Sequence, residues 1–289
     1  MSAGLANWDW QSSYPAPAKL NLFLHVVGRR SDGYHLLQTV FRLLEHGDHL
    51  RFAPRADGAV QLLTPLPGVP AEHDLTVRAA RRLQRETNCR AGVDIRLEKR
   101  LPLGGGLGGG SSDAATVLLA LNHLWQLGLS RQHLQEIGLT LGADVPVFVF
   151  GCNAFAEGVG DRLQAVGLPP CHYVVVEPPL QVPTAAIFAA PELRRNTPRL
   201  AADEWRPGCG GNDLEPVACA RFPAIAEHLA ALRKAATPAP ARMSGSGACV
   251  FAEFTDSQQA AIALQHLPTG MRAWAAAGLD RHPLFGLAN

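Results

Sequence analysis

The sequence predicts an α+β protein of two domains, in which β-hairpins and helical crossovers are combined. Strand-like alternation of apolar and polar residues occurs at 19–27 and at 93–97, and helical spacing follows at 114–125 and 131–141. A chain of 289 residues has room for two domains of roughly 150 residues each. The run Val166-Gly167-Leu168-Pro169-Pro170 is the best candidate for a boundary. We therefore expect domains at residues 1–167 and 168–289.

The composition excludes several classes of protein. Hydrophobic residues make up 47% of the chain and charged residues 18%, as in ordinary globular proteins. With 26 Lys and Arg against 25 Asp and Glu, the net charge of +1 gives no electrostatic reason to expect nucleic acid or a membrane as a partner. No apolar run reaches the length of about 18 residues that a transmembrane helix needs. We expect no obligate protein partner either.

The cysteines and the N-terminus indicate a compartment. The six cysteines lie ten or more positions apart, so no Cys-x-x-Cys metal or redox pair exists. Residues 1–14 lack the basic and apolar segments of a signal peptide, and we expect them to form a short extension. Reduced thiols in a cytoplasmic protein are the prediction.

A hairpin is predicted near the N-terminus. Along residues 19–27 the side chains alternate between two faces, one with Leu20, Leu22, Leu24 and Val26, the other with Lys19, Asn21, Phe23 and His25. This pattern predicts a strand with one apolar face. A turn containing Asp32-Gly33 and an apolar segment at 36–44 follow, as in a hairpin. Helical spacing comes next, at 75–85.

The next feature is a glycine-rich loop between a strand and a helix. Six of the seven residues from Gly104 to Gly110 are glycine, and Ser111 and Ser112 follow as expected caps of an amphipathic helix. Six glycines are hard to explain by folding alone, because each loses extra entropy on ordering. Such a loop lets backbone N–H groups approach an anion at a helix N-terminus. We therefore predict a phosphate site, with a merely flexible turn as the alternative.

Three well-known phosphate loops do not fit. Gly104, Gly106 and Gly109 match G-x-G-x-x-G, but a dinucleotide fold needs an acidic residue at the end of a strand about 20 positions later, and 124–130 offers neither. Gly-Lys-Ser and Gly-Lys-Thr are absent, which excludes a Walker A loop. His-Arg-Asp and Asp-Phe-Gly are also absent, which excludes a protein kinase.

The second half predicts further mixed structure. A strand is expected at 173–176 and helices at 224–235 and 258–267. Between the helices, Ser244-Gly245-Ser246-Gly247 precedes an apolar run at 248–251.

Local sequence alone leaves several polar residues open. Asp144, two residues before Pro146, is typical of a helix N-cap. Lys19 could be an ordinary edge lysine, and Tyr34 and His35 could simply pack in the hairpin.

Taken together, the motifs resemble a known family. They are Pro15-Ala16-Pro17-Ala18-Lys19-Leu20-Asn21, the loop at 101–112, Gly245-Ser246-Gly247-Ala248, Gly33-Tyr34-His35, Gly142-Ala143-Asp144-Val145-Pro146 and Phe155-Ala156-Glu157-Gly158. This combination, spread over about residues 15–254, is similar to the galactokinase, homoserine kinase, mevalonate kinase and phosphomevalonate kinase (GHMP) superfamily. The resemblance implies an N-terminal α/β domain with the glycine-rich phosphate loop, a C-terminal ferredoxin-like domain and an active site in the cleft between them.

The resemblance also implies chemistry and residue roles. The expected reaction uses ATP with Mg²⁺, with Asp144 as catalytic base and Lys19 as its cationic partner; no metal ligand is identified. The implied ATP-binding residues are Lys99, Pro102, Leu103, Gly104, Gly105, Gly106, Leu107, Gly108, Gly109, Gly110, Ser111 and Ser112. The implied substrate-binding residues are Asn21, Tyr34, His35, Thr184, Phe188, Gly245 and Gly247.

The implied substrate is a small molecule. The motifs are most similar to the branch that phosphorylates the 2-hydroxyl of a cytidine-diphosphate-linked methylerythritol, with Tyr34 and Phe188 stacking on the cytosine and His35 pairing with its polar edge. Homoserine or mevalonate kinase activity, and an inactive nucleotide sensor, remain alternatives. At His73-Asp74-Leu75 a carboxylate replaces the family's amide, so Asp74 is left out of the predicted site.

Overall fold

A computed structural model describes residues 8–289. The ten strands in this part of the chain are β1 (Tyr14–Arg29), β2 (His35–Arg55), β3 (Val60–Leu62), β4 (Gly92–Glu98), β5 (Ala154–Gly158), β6 (Arg162–Ala165), β7 (His172–Glu177), β8 (Ala241–Met243), β9 (Val250–Phe254) and β10 (Arg272–Leu279). The eight α-helices of the same part are α1 (Leu75–Thr87), α2 (Gly109–Leu124), α3 (Arg131–Leu139), α4 (Val145–Phe150), α5 (Thr184–Phe188), α6 (Glu215–Arg221), α7 (Pro223–Ala236) and α8 (Ser257–Gln265).

The predicted N-terminal hairpin is confirmed. Strands β1 and β2 pair antiparallel from Tyr14 opposite Leu50 to Arg29 opposite His35. Gly33, with φ of 91°, lies in the turn, where a side chain would be strained. Strand β2 also pairs with β4, β5 and β10, so it is the centre of the first lobe, which we define as β1–β6 with α1–α4.

The expectation that β1 has only one apolar face is wrong. Phe23, on the predicted polar face, is fully buried, and Lys19 and Asn21 are each only 3% exposed. The strand contributes residues to all three hydrophobic clusters of the protein, because it runs between the helices of the first lobe and the second lobe. A strand covered on both sides has no solvent face, so its polar residues need partners inside the protein.

Helix α2 is also different from its prediction. It is buried continuously from Ser112 to Asn122, because α1, α4 and β1 all pack against it, and it is therefore not amphipathic. Its N-cap is Gly108, not a serine, and no side chain caps it. The N-cap residue therefore brings no side-chain oxygen to the first N–H groups of the helix.

The second lobe, β7–β10 with α5–α8, has the predicted ferredoxin-like arrangement. Its antiparallel sheet has the order β10-β7-β9-β8, with α6 and α7 between β7 and β8, and α8 between β9 and β10. Strand β10 also pairs with β2 through Gly278 and Leu279, which joins the sheets of the two lobes. The predicted domain boundary between residues 167 and 168 lies between β6 and β7 and stays a prediction.

The end of the chain packs back onto the first lobe. Arg131 at the start of α3 donates hydrogen bonds to the carbonyls of Val149 and Ala288, both at 2.6 Å. The backbone N–H of His282 donates to Gly151 at 2.8 Å, and Leu284 is fully buried in the core of the first lobe. Residues near the C-terminus therefore pack on the lobe that contains β1.

The expected extension at residues 1–14 is only partly open to description, since residues 1–7 lie outside the described part. The remainder is not loose: Trp8 stacks on Tyr14 at a ring distance of 5.1 Å, and Tyr14 is fully buried as the first residue of β1. None of the helices between residues 8 and 289 has the length and apolar character needed to cross a bilayer.

His282 should make the folded state sensitive to acid. Burial, with Arg131 nearby, lowers the pKa of His282 to about 3, whereas the unfolded chain binds the proton near pH 6.5. Below pH 6.5 the unfolded state therefore binds more protons, and the free energy of unfolding falls as the pH drops toward 3. Between pH 7 and pH 5 we expect His282 alone to lower the free energy of unfolding by about 2 kcal/mol.

Urea unfolding of the wild type and of His282→Asn at both pH values tests this. Asparagine keeps an acceptor for the Leu284 N–H, which His282 Nδ1 accepts at 3.0 Å. Over the same pH interval, the free energy of unfolding of the variant should fall by about 2 kcal/mol less than that of the wild type. Equal losses in the two proteins would contradict the prediction.

Candidate active site

The site is organised around the ammonium group of Lys19. Its Nζ donates to Asn21 Oδ1 at 2.7 Å and to the carbonyl of Gly106 at 3.1 Å, and it lies 3.2 Å from Asp144 Oδ2. The Lys19 side chain is only 4% exposed. An ammonium group has three hydrogens to donate, and three acceptors surround this one. Its direction and position are therefore fixed by β1, by the glycine loop and by the start of α4.

Asp144 carries a free carboxylate at the start of α4. It occupies the N-cap position, as local sequence predicts, but its side chain makes no capping hydrogen bond. Pro146, at the second helical position, has no N–H to offer it. The Asp144 side chain is 36% exposed. The carboxylate thus faces Lys19 on one side and the solvent on the other, where it can accept a proton from a ligand.

Two glycines allow the loop between β4 and α2 to approach Lys19. The carbonyl of Gly106 accepts from both Lys19 Nζ and Ser244 Oγ, the latter at 3.0 Å. Gly108 has φ of 72°, and a Cβ there would lie 2.9 Å from the Phe148 ring and 3.1 Å from Lys19 Cε. A side chain at Gly108 would therefore push away the ammonium or the ring.

The predicted ATP-binding residues from Pro102 to Ser112 lie in this loop and in the first turn of α2. The N–H groups at a helix start have no intrahelical partner and form an anion site. Ser111 Oγ lies 3.7 Å from where a Cβ on Gly142 would be, on the side of Asp144. Leu107 is buried in the core, so it could meet a nucleotide only through its backbone.

Ser112 is placed differently from Ser111. Its side chain is fully buried, its hydroxyl has no hydrogen-bond partner, and its backbone N–H donates to the Gly108 carbonyl at 2.8 Å. This arrangement does not favour a contact between Ser112 and a phosphate group. The contact therefore stays a prediction.

Lys99 stabilises the start of the glycine loop between β4 and α2. Its Nζ lies 2.6 Å from Asp48 Oδ2 and 2.7 Å from Asp113 Oδ2, and both carboxylates are buried. Burial alone would lower the pKa of Lys99, but Asp113 and Asp48 together raise it. Asp48 also accepts from the backbone N–H groups of Arg100 and Leu101. Lys99 is thus committed to internal contacts, and its predicted contact with ATP stays a prediction.

Asp74 also has an internal role. Its side chain caps α1 by accepting from the backbone N–H of Thr76 at 2.8 Å, and it is 5% exposed. The carboxylate that departs from the family pattern is therefore explained by helix capping.

The predicted substrate residues come from both lobes. Tyr34 is 67% exposed, which is against simple packing in the hairpin. The rings of His35 and Phe188 lie 5.0 Å apart. In the second lobe, Thr184 Oγ1 and Ser246 Oγ are 2.8 Å apart, which ties α5 to the loop of residues 244–247, the second glycine loop. A ligand bound here would contact the exposed ring of Tyr34 and the pair of rings formed by His35 and Phe188.

The second glycine loop is held against the first. A Cβ on Gly245 would lie 3.2 Å from the Gly106 carbonyl and 3.3 Å from Asn21 Oδ1. Gly247 has φ of 90° and packs beside Met243. A side chain on Gly245 would separate the loops, and one on Gly247 would collide with Met243 in the second lobe.

Three residues that the sequence reasoning missed support these groups. Asn212 donates to the carbonyls of Met243 and Gly245, both at 2.8 Å, and so fixes the second glycine loop. Arg195 donates to His35 Nε2 at 3.1 Å. The third is Thr39, in β2. Only Thr39 had a signal, as a polar residue within the apolar segment 36–44.

Thr39 sets the orientation of the Asn21 amide. Its hydroxyl donates to the Phe23 carbonyl, so it can only accept from Asn21 Nδ2, which lies 2.9 Å away. Asn21 therefore turns its oxygen toward Lys19. Since both ends of the amide are occupied, Asn21 acts here on Lys19, and its predicted contact with substrate stays a prediction.

Two family models and curated relatives match this chain. The sequence model described as "GHMP kinases N terminal domain" matches residues 74–152, and that described as "GHMP kinases C terminal" matches residues 189–273. The 4-diphosphocytidyl-2-C-methyl-D-erythritol kinase of Dechloromonas aromatica (strain RCB) is 62% identical over 271 residues, which cover 94% of this chain and 98% of the relative.

Solved structures share the fold. A crystal structure of 4-(cytidine 5'-diphospho)-2C-methyl-D-erythritol kinase superposes with a TM-score of 0.80 at 37% identity, covering 92% of this chain and 99% of that one. Homoserine kinase from Cytophaga hutchinsonii has the same fold, with a TM-score of 0.66 at 17% identity over 93% of this chain and 94% of that one.

Replacing Thr39 by valine should slow turnover. Valine keeps the shape but leaves the Asn21 amide without its acceptor, so the amide can rotate and turn its NH₂ toward Lys19. We expect kcat in an ADP-release assay to fall about tenfold, with some loss of stability from the unpaired groups. Thr39→Ser keeps the hydroxyl and should keep most of the turnover. Equal kcat values for the valine variant and the wild type would contradict the assigned role of Thr39.

Proposed function

The chain belongs to the GHMP kinases and, within them, to the 4-diphosphocytidyl-2-C-methyl-D-erythritol kinases, and from this premise we propose that it transfers the γ-phosphoryl group of ATP to the 2-hydroxyl of that cytidine-linked alcohol. The products are the 2-phosphate and ADP, in the non-mevalonate route to isoprenoid precursors. The observation that carries the proposal is the Lys19–Asp144 pair at 3.2 Å, beside the free N-terminus of α2.

Asp144, Lys19 and the start of α2 have different roles in the phosphoryl transfer. As the substrate hydroxyl oxygen bonds to the γ-phosphorus, its proton passes to an Asp144 oxygen, and the bond between phosphorus and the bridging oxygen of ADP breaks. Lys19 pairs with the carboxylate and stabilises the negative charge that develops. The N–H groups at the start of α2 hold the phosphates. Catalysis then rests on positioning and charge.

Mg²⁺ fits this site as a companion of the nucleotide. Among residues 8–289, no group of three or more His, Cys, Asp or Glu side chains could hold a metal. Mg²⁺ commonly binds through substrate phosphates with only one or two protein ligands. The Ser111 hydroxyl, next to the anion site, would hold it to the protein. When bound, the ion would neutralise phosphate charge.

The substrate end favours a cytidine ligand over the alternatives. Tyr34 is exposed, and Phe188 and His35 form an aromatic pair, as suits a base that stacks. Homoserine and mevalonate contain no ring and would leave these aromatic groups unused. A catalytically inactive nucleotide sensor would have no need to keep both Lys19 and Asp144.

We also propose a setting for the enzyme. The six cysteines, all within the described residues, are unpaired thiols, which suits the reducing cytoplasm. The near-zero net charge supports a small-molecule substrate, with no nucleic acid, membrane or obligate protein partner.

Asp144→Asn and Lys19→Met should each leave the fold and ATP binding largely intact while lowering kcat about 100-fold or more. The first loses the proton acceptor, and the second loses the charge that stabilises it. Circular dichroism and calorimetric ATP titration check the fold and binding, and a coupled ADP-release assay measures kcat.

Matched controls are Asp203→Asn and Lys234→Met. Both side chains are exposed, and neither makes an ion pair with another residue in 8–289. The controls should keep wild-type kcat. Near-normal turnover of the Asp144 and Lys19 variants, with folding verified, would contradict their assigned roles.

A substrate panel tests the proposed function itself. The wild type is given 4-diphosphocytidyl-2-C-methyl-D-erythritol, homoserine or mevalonate with ATP, and we expect rapid ADP release only with the first. Activity on another alcohol would favour the corresponding kinase. ATP binding without phosphorylation of any alcohol would favour the inactive sensor.

A further inference from the structure

Asp48, in β2, holds the start of the glycine loop between β4 and α2. The Asp48 side chain is fully buried. Its Oδ1 accepts from the backbone N–H groups of Arg100 at 2.6 Å and Leu101 at 2.8 Å. Its Oδ2 accepts from Lys99 Nζ, also at 2.6 Å. Both oxygens of the carboxylate are therefore occupied, and three consecutive residues after β4 are bound to one side chain.

Lys99 joins this start to the other end of the loop. Its Nζ also donates to Asp113 Oδ2, near the start of α2, at 2.7 Å. A Cβ on Gly109, the first residue of α2, would lie 3.0 Å from Lys99 Nζ and 3.4 Å from Asp48 Oδ2. The helix therefore begins directly against the Asp48–Lys99 pair, and the two ends of the loop meet there.

Stability alone does not explain this cluster of charges. The Asp48 side chain is fully buried, that of Asp113 is 3% exposed and that of Lys99 is 14% exposed. Removing charged groups from water is costly, and apolar side chains of similar volume often give equal or greater stability. Two carboxylates also repel each other when they share one ammonium. What the cluster provides, and apolar packing could not, is directional bonds to the backbone of the loop.

A closed base matters most for a loop that is rich in glycine. Glycine loses more conformational freedom on ordering than any other residue, and six of the seven residues from Gly104 to Gly110 are glycine. If ATP had to order this loop, the lost entropy would weaken its binding. The free N–H groups of the anion site belong to the start of α2, at one of the two tied ends. Closure in the absence of ATP therefore avoids this loss.

We propose that Asp48 is a positioning residue for ATP: it binds Lys99 and the backbone of residues 100–101 at once, closes the base of the glycine loop, and so forms the anion site before the nucleotide binds. The inference rests on the proposed function, since it concerns the ATP of the same reaction. Asp48 is fully buried and acts through the loop, not on a reacting atom.

Asp48→Asn separates the two contacts that the carboxylate makes. A carboxylate accepts at both oxygens, whereas an amide accepts at one end and donates at the other. The asparagine can therefore hold Lys99 or the two backbone N–H groups, but it cannot hold both. Calorimetric titration should give a Kd for ATP about tenfold above that of the wild type.

Asp113→Asn is the matched control, because it removes the same charge from the same buried cluster. Asp113 accepts only from Lys99, and its Oδ1 has no hydrogen-bond partner within residues 8–289. The amide oxygen can keep the Lys99 contact, so the Kd for ATP should stay within about threefold of the wild-type value. If net charge alone governed ATP binding, both variants would change Kd by the same factor in the same direction. That result would contradict the proposal.

Steady-state kinetics separate this role from a merely structural one. In Asp48→Asn the KM for ATP should rise about tenfold, while the KM for the cytidine-linked alcohol, and kcat at saturating ATP, should stay within about twofold of the wild-type values. A structural defect would instead reduce the amount of folded enzyme. It would lower the apparent kcat and leave the KM for ATP unchanged, and this pattern would refute the positioning role.

Hydrogen exchange of the wild type tests the closed loop and does not depend on any variant folding. NMR should show the amide hydrogens of Arg100 and Leu101 protected to a similar extent with and without ATP. Protection that appears only after ATP is added would overturn the proposal. Failure of the proposed function has a different signature: the ATP affinities of the wild type and Asp48→Asn would differ as expected, and yet the wild type would transfer no phosphoryl group to the cytidine-linked alcohol.

Discussion

The buried ammonium of Lys19 is the constraint on which the rest of the site depends. An ammonium removed from water is costly unless its hydrogens are all accepted. Here the acceptors come from β1, from the glycine loop and from the start of α4. If any of these elements moved, the charge would lose a partner. The requirement to satisfy one cation therefore fixes the relative positions of the phosphate loop and of the Asp144 carboxylate.

The same carbonyl that accepts from Lys19 also joins the two lobes. Gly106 accepts from Ser244 of the second lobe as well, and Gly105 accepts from the N–H of Cys249 at 3.1 Å. Further away, β10 pairs with β2, and the C-terminal residues pack on the first lobe. The site thus lies where the lobes are in contact, and it requires both. This explains why its polar groups are paired across large distances in sequence.

Local patterns predicted the elements, but not their surroundings. The period of two in β1 and the glycine loop followed from neighbouring residues, and the hairpin was confirmed. The ferredoxin-like lobe, which was also confirmed, was implied only by the family resemblance. Phe23 was expected on a polar face and α2 was expected to have a solvent side, because the layers that cover them come from distant parts of the chain. Ser112, Lys99 and Asn21 were assigned to ligands by motif, whereas Lys99 and Asn21 have internal partners and the Ser112 hydroxyl is buried without one. Arg195 and Asn212 gave no local signal, since each acts on a loop far away in the sequence.

Asp144 illustrates how a local rule can be right about position and wrong about chemistry. An aspartate before a short helix is expected to cap it, and the residue does occupy the N-cap. A capping carboxylate would accept hydrogen bonds from the N–H groups of the helix. Pro146 removes one of those donors, and Lys19 attracts the carboxylate from the other side. The proline that makes the sequence look like a helix start is thus part of what leaves the carboxylate free to accept a proton.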